Sequence, residues 1–208
     1  MQNKFQRTAE WFDARVGKLT ASRAAAAFAT SKRDGKPLQS ALDVIAEIAC
    51  ERITGQAIEH FTSGAMEWGI EHEDEALRAY EVETGELVDQ VGFIEHPTVK
   101  HLGASPDGLV GNDGLIEIKC PNSMTHMRRC LEGVVPEEYK PQMLLQMLCT
   151  GRRWCDFVDY DPRFKAQRLF IVRFEPTKQE LDDAMAKAVN VLGQVDALVA
   201  KFGGEHAA

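Results

Sequence analysis

The chain has 208 residues, 44% of them hydrophobic and 27% charged, long enough to bury a core without disulfide or metal staples and ordinary enough in composition to exclude a fibrous or disordered class. Residues 1–10 are polar and no run of about eighteen apolar residues occurs, so neither a signal peptide nor a membrane partner is expected, and a cytoplasmic location follows by default. The net charge of −8 argues mildly against a partner with a phosphate backbone, because binding through counterion release favours a basic surface.

Positive residues nevertheless come in local groups, Arg15/Lys18/Arg23, Lys32/Arg33/Lys36, Arg128/Arg129, Arg152/Arg153 and Arg163/Lys165/Arg168. Each serves equally well as a solvated face or as a contact to an anion. The five cysteines are odd in number, widely spaced and without a CxxC pair, which points to reduced, structural thiols rather than zinc or redox chemistry.

In chain order, Thr8 is expected to cap a short helix through Arg15, and Ser22 a second one along the alanine run to Ala29. Residues 30–39 hold Gly35 and Pro37 and read as a loop. Ser40 is expected to cap a helix with Leu42, Ile45, Ile48 and Ala49 at helical spacing, ending before Gly55, and a longer helix should run over 63–83 and close at Gly85.

The pattern then shifts to short β-rich runs at 87–95, 102–105 and 115–119, separated by Pro97, by Pro106 with Gly108, and by the turn 111–114. A helix over 137–150, strands at 154–160 and 168–174, and a final helix over 177–202 complete the reading. That last helix carries an apolar stripe of Leu181, Met185, Ala188, Leu192, Val195, Val199 and Phe202, which belongs against a core. Residues 1–208 therefore form one α/β domain, a mixed central sheet flanked by helices.

The chemistry concentrates in Ser105-Pro106-Asp107-Gly108 and Leu115-Ile116-Glu117-Ile118-Lys119. Side chains alternate along a strand, so Glu117 and Lys119 share one face while Ile116 and Ile118 enter the opposite layer. A Pro-Asp-Gly turn can return Asp107 to that strand. Two carboxylates beside an amine suit a hard cation such as Mg²⁺, which wants oxygen ligands and keeps several waters. The amine can orient or deprotonate a water, or stabilise charge developing on phosphate. On spacing alone, Glu117 and Lys119 serve equally as a surface pair and Asp107 as a turn former.

Asp107 followed by Glu117-x-Lys119 resembles the PD-(D/E)xK nuclease superfamily, with its restriction-endonuclease-like core. Together with Cys120-Pro121, the two segments more closely resemble the phage lambda exonuclease, or YqaJ-type alkaline exonuclease, family. The likeness extends from Trp11 to Asp161-Pro162-Arg163.

Arg15-Val16-Gly17-Lys18-Leu19-Thr20-Ala21-Ser22 resembles the family's N-terminal motif, which implies that Arg15 and Ser22, joined by Ser105, hold a terminal 5′-phosphate; without the resemblance, Arg15 reads as a solvent-facing residue and Ser22 as a cap. Trp68-Gly69-Ile70-Glu71-His72-Glu73 resembles the helix with an additional active-site acid, here Glu73 with Glu71 as its competitor. His72 reads as a satisfied polar residue. Met66 resembles an apolar wedge between bases, with core packing as the competing reading. The stretch 142–151 resembles a glutamine-rich helix that puts Gln142 near the reaction centre, preceded at the family's spacing by Tyr139. A second family glutamine is replaced by Leu144. Lys32 and Arg33 lie where the family places a residue that tracks the duplex.

The resemblance implies a processive Mg²⁺-dependent enzyme, with Mn²⁺ as the alternative ion, that digests one strand of linear double-stranded DNA from its 5′ end to mononucleotides and leaves 3′ overhangs for recombination. Asp107, Glu117 and the backbone carbonyl of Ile118 would hold one or two ions, with Asp107, Glu117, Lys119, Glu73 and Gln142 as the catalytic set. A homotrimer around DNA ends and a single-strand annealing protein are the implied partners. The competing readings are a structure-specific or restriction-type endonuclease of the same superfamily and a non-catalytic DNA-binding protein.

Overall fold

A computed structural model describes residues 6–58 and 63–203. The first half of the polar stretch 1–10, the segment 59–62 and the last five residues lie outside the described residues. Helix α1 (Ala9–Asp13) starts as expected, with the Thr8 hydroxyl accepting from the Trp11 N–H. After a turn, β1 (Leu19–Thr20) leads through a 3₁₀ turn (Ala21–Arg23) into the one-turn helix α2 (Ala24–Ala27). Ser22 lies inside the 3₁₀ turn and caps nothing, which corrects the expectation: the alanine run is entered from a strand, and the Ser22 hydroxyl pairs with that of Thr20 at 3.1 Å.

Residues 31–36 form a tight turn closed by a bridge between Thr30 and Pro37. Helix α3 (Gln39–Thr54) begins two residues earlier than expected, so Ser40 falls in its first turn rather than at its cap, and it ends on left-handed Gly55. Helix α4 (Gly64–Thr84) agrees with expectation at both ends: the Ser63 hydroxyl caps it and left-handed Gly85 closes it.

The run 87–95, expected as one strand, is two: β2 (Val88–Asp89) and β3 (Ile94–Glu95) join different sheets. Next come β4 (Leu102–Ala104), β5 (Gly108–Val110) and β6 (Gly114–Lys119). Helix α5 (Ser123–Glu132) was not expected; α6 (Lys140–Thr150), β7 (Trp154–Tyr160), β8 (Leu169–Phe174) and α7 (Lys178–Lys201) were. A capping box between Thr177 and Glu180 fixes the start of α7.

The fold is mixed α/β, but the strands divide between two sheets, β1-β4-β3 and β2-β5-β6-β7-β8. Within the larger sheet β6 pairs antiparallel with β5 and parallel with β7. Ile116 and Ile118 pack with Ala76 and Tyr80 of α4, while Leu115 packs with Met143 and Met147 of α6. The sheet is thus sandwiched between α4 and α6, and the alternation along β6 assigns its polar residues to the α6 side. A third cluster gathers α3, α7, β4 and residues Leu145 and Cys149 of α6. The α7 stripe is buried through Ala188, Leu192, Val195 and Val199, but Phe202 is exposed because the helix ends at Lys201. No helix among the described residues is long and apolar enough to cross a membrane, and all five cysteines are free thiols.

Candidate active site

The register of β6 creates the site. Its pairing with β5 stops where Ile116 meets Gly108, so Glu117, Ile118 and Lys119 keep only their β7 neighbours, Phe157, Val158 and Asp159. Asp107 stands just before β5 begins, beside this vacated edge, and its Oδ2 accepts the Ile118 N–H at 2.6 Å. The carboxylate takes the place of a missing strand partner. Within a β-ladder the N–H and C=O of one residue face the same neighbour, so the Ile118 carbonyl is turned to the same vacated side. Gly108 is required here: a Cβ would lie 2.1 Å from Val88 Cγ1.

Glu117 is fully buried. Its Oε1 accepts from the Gln142 amide at 2.7 Å, and the Lys119 ammonium pairs with the same oxygen. Its Oε2 accepts from the Gln146 amide at 2.6 Å. Burial and then the charge of Glu117 push the Asp107 carboxyl well above the ordinary value, with Glu73 adding to the effect. Lys119 moves upward too: burial works against its charge, but Glu117 and Asp107 outweigh that and hold it as an ammonium. Its Nζ stands 5.2 Å from the centre of the Tyr139 ring, whose hydroxyl accepts from Arg129.

A cleft of about 630 Å³ opens over these groups, lined by Glu73, Asp107, Ile118, Lys119, Arg129 and Tyr139 on the inner side and by Trp11, Phe12, Ser22, Met66 and Ile70 further out. Met66 is 54% exposed, so it is a wall residue and not core. Glu73 lines the cleft and is paired with Arg7, whereas Glu71 is exposed and outside the lining. His72 stacks on Trp68 and donates to its carbonyl at 2.9 Å, as a satisfied polar residue.

Arg15 brings together Ser22, which lines the cleft, and Ser105, which with Arg15 lies outside its lining. Arg15 donates to the Ser22 hydroxyl at 3.1 Å and the Ser105 hydroxyl at 3.4 Å, and its guanidinium lies 4.1 Å from the Trp11 ring centre. Trp11 also donates its indole N–H to Ser105 at 2.9 Å. Burial and then the nearby Arg23 lower Arg15 to about 10, partly offset by Glu51. The turn carrying Arg15 is locked from behind: Gly17, at φ 69°, donates to buried Glu51, and its carbonyl accepts from Arg52. By contrast, Lys32 and Arg33 are exposed on the 31–36 turn and do not line the cleft.

The donor set fits a hard cation. No group of three His, Cys, Asp or Glu side chains among the described residues makes a ready metal site, so an ion would rest on Asp107, Glu117, the Ile118 carbonyl and water. Those are the oxygen donors Mg²⁺ takes in open sites, and the repulsion that raises Asp107 is the kind a divalent ion relieves. Three residues at the site carried no expected role: Trp11, Arg129 and Gln146. Only Gln146 left a signal, its spacing of four from Gln142.

The YqaJ-like viral recombinase domain matches residues 10–153, a stretch that holds Arg15, Ser22, Glu73, Asp107, Glu117, Lys119 and Gln142. The chain belongs to the YqaJ-like viral recombinase family. Two solved structures, of the alkaline exonuclease LHK-Exo from Laribacter hongkongensis and of LHK-Exo in complex with dAMP, are each 42% identical over 94% of this chain and 96% of theirs, with a TM-score of 0.86. A phage-related exonuclease from Haemophilus somnus 129PT, 15% identical over 89% of this chain and 96% of its own, shares the fold with a TM-score of 0.63. Among curated proteins none matches. The YqaJ-like stretch ends at Arg153, ahead of β7, yet Asp159 on β7 pairs in register with Lys119 and accepts from Arg129 at 2.6 Å. The site thus depends on strands beyond the matched region.

Proposed function

We propose that this YqaJ-like protein is a Mg²⁺-dependent nuclease that degrades one strand of linear double-stranded DNA from its 5′ end to mononucleotides, leaving 3′ overhangs for recombination. The observation that carries this reading is the shared cleft: Ser22, bonded to Arg15, opens onto the same space as Asp107, Ile118 and Lys119. An end-binding group and a hydrolytic group side by side suit an enzyme that starts at a terminus.

Asp107, Glu117 and the Ile118 carbonyl would hold one or two Mg²⁺ ions, or Mn²⁺ in their place, with Glu73 at the margin. When bound, the ion supplies charge stabilisation at phosphate and a more acidic water. Gln142 holds the Glu117 oxygen that pairs with Lys119. Lys119, held as a cation by its carboxylate neighbours, orients the attacking water by donating to it and balances charge on the phosphate; a raised lysine is a poor base. Arg15, Ser22 and Ser105 offer a guanidinium and two hydroxyls to a terminal phosphate, which a phosphodiester inside the strand does not match in charge. Met66, at the cleft wall, packs against the terminal bases, and Lys32 and Arg33 reach the duplex backbone. The protein works as a homotrimer around DNA, supplying single strands to an annealing protein. The compartment is the cytoplasm.

Linear duplex labelled separately at each 5′ and 3′ end, digested beside closed circular DNA with and without Mg²⁺, tests this reading. Release of 5′ label as mononucleotide only with Mg²⁺ is expected. Cutting of closed circles would assign an endonuclease instead, and binding without release a non-catalytic DNA-binding protein.

A further inference from the structure

Helix α6 is buried on two sides, through Leu145 and Cys149 against α3 and α7 and through Met143 and Met147 against the large sheet. Gln146 is fully buried within it. Its amide nitrogen donates to Glu117 Oε2, while its own carbonyl, Oε1, finds no hydrogen-bond partner. The amide cannot be reversed, because Glu117 as a carboxylate only accepts and two oxygens would then face each other at 2.6 Å. An apolar side chain would fill this position without leaving a carbonyl unpaired, so packing gives no reason for a glutamine here. Residues four apart share a helix face, so Gln142 and Gln146 grip the two oxygens of one carboxylate, 2.7 and 2.6 Å away. Leu144, two residues from each, lies toward the opposite side and packs with the core.

We infer that Gln146 is a positioning residue that fixes the plane of the Glu117 carboxylate, holding Oε2 inward so that Oε1 faces Lys119. This rests on Glu117 being a cation-holding carboxylate. Gln146 touches neither the cleft nor any substrate atom; it acts through Glu117. Partners behind a ligating carboxylate set its orientation, and their loss costs roughly 10- to 100-fold in ion affinity or turnover.

The test is Gln146→Met, which keeps length and removes the donor, with Gln146→Leu as the replacement should the methionine variant fail to give native circular dichroism. Mn²⁺ titration by calorimetry on the DNA-free protein should show a Kd weakened by about 10- to 100-fold. With labelled duplex, kcat should fall over the same range while KM for DNA ends stays unchanged. A residue needed only for packing would lower the melting temperature and leave the Mn²⁺ affinity of the folded fraction untouched; that result overturns the inference, as does a KM rise without loss of kcat. A wild-type protein that binds Mn²⁺ but digests no DNA would sink the nuclease reading and leave the calorimetric test of Gln146 intact. Wild-type protein that takes up no ion overturns both.

Discussion

Asp107 reaches across to the backbone of Ile118, its Oδ2 accepting the amide proton at 2.6 Å where strand β5 has already ended. One residue therefore fills a gap in the sheet and presents a carboxylate to the cleft, and the two duties separate by mutation. Asp107→Asn keeps an oxygen for the Ile118 N–H but loses the charge. Without the buried, repelled charge its melting temperature should equal or exceed that of the wild type, while turnover falls by more than about 100-fold, beyond what loss of an outer partner costs. A normal rate in this variant would exclude Asp107 from the reaction.

The upward shift of Asp107 predicts an acid limb. Below its raised pKa the carboxyl is neutral and holds no cation, so the rate should climb as pH rises and the proton leaves, at a higher pH than for an ordinary aspartate. Proton and cation compete for the same oxygens. Raising Mg²⁺ should move the limb to lower pH, and a limb that stays fixed from low to saturating Mg²⁺ assigns it to some other group.

Lys119→Ala should lower cleavage by about 10²- to 10⁴-fold, the range for losing a group that handles protons or charge at the reacting centre. Binding of a DNA end, followed by fluorescence anisotropy, should be largely unaffected. Full activity without the ammonium would refute its role.

Arg15→Ala should erase the rate advantage of 5′-phosphorylated over 5′-hydroxyl ends while leaving Mn²⁺ uptake intact. In the free protein burial and then Arg23 lower the guanidinium to about 10, and it stays charged through neutral pH. The phosphate preference of the wild type should therefore hold through neutral pH, where the guanidinium is charged. Persistence of the preference in Arg15→Ala would place the phosphate pocket elsewhere.

Elements with strong local punctuation were legible. Ser63 and Gly85 bracket α4 and Thr177 opens α7 because caps are local chemistry, and the alternation in β6 correctly sorted Ile116 and Ile118 from Glu117 and Lys119. The strands β1 and β5, of two and three residues, were not, since sheet partners far along the chain define them. Helix α5 escaped for a clearer reason. Its buried residues are His126 and Arg129, and its apolar ones, Met124 and Leu131, face water, so its amphipathic pattern is inverted. His126 and Arg129 are tolerated inside because Asp159 accepts from both. Gln146 left only its spacing of four from Gln142, which puts both on one helix face but gives no hint of a partner 29 positions back.

Because the end of β5 leaves Ile118 without a neighbour on one side, the oxygen turned toward the cleft there is a main-chain atom, common to every amino acid. Mutation can enlarge, shrink or polarise the side chain at 118, yet it cannot delete that atom. On the proposed ion site, part of the chemistry would be inherited with strand length rather than residue identity, and it would survive divergence that rewrites the letter at this position.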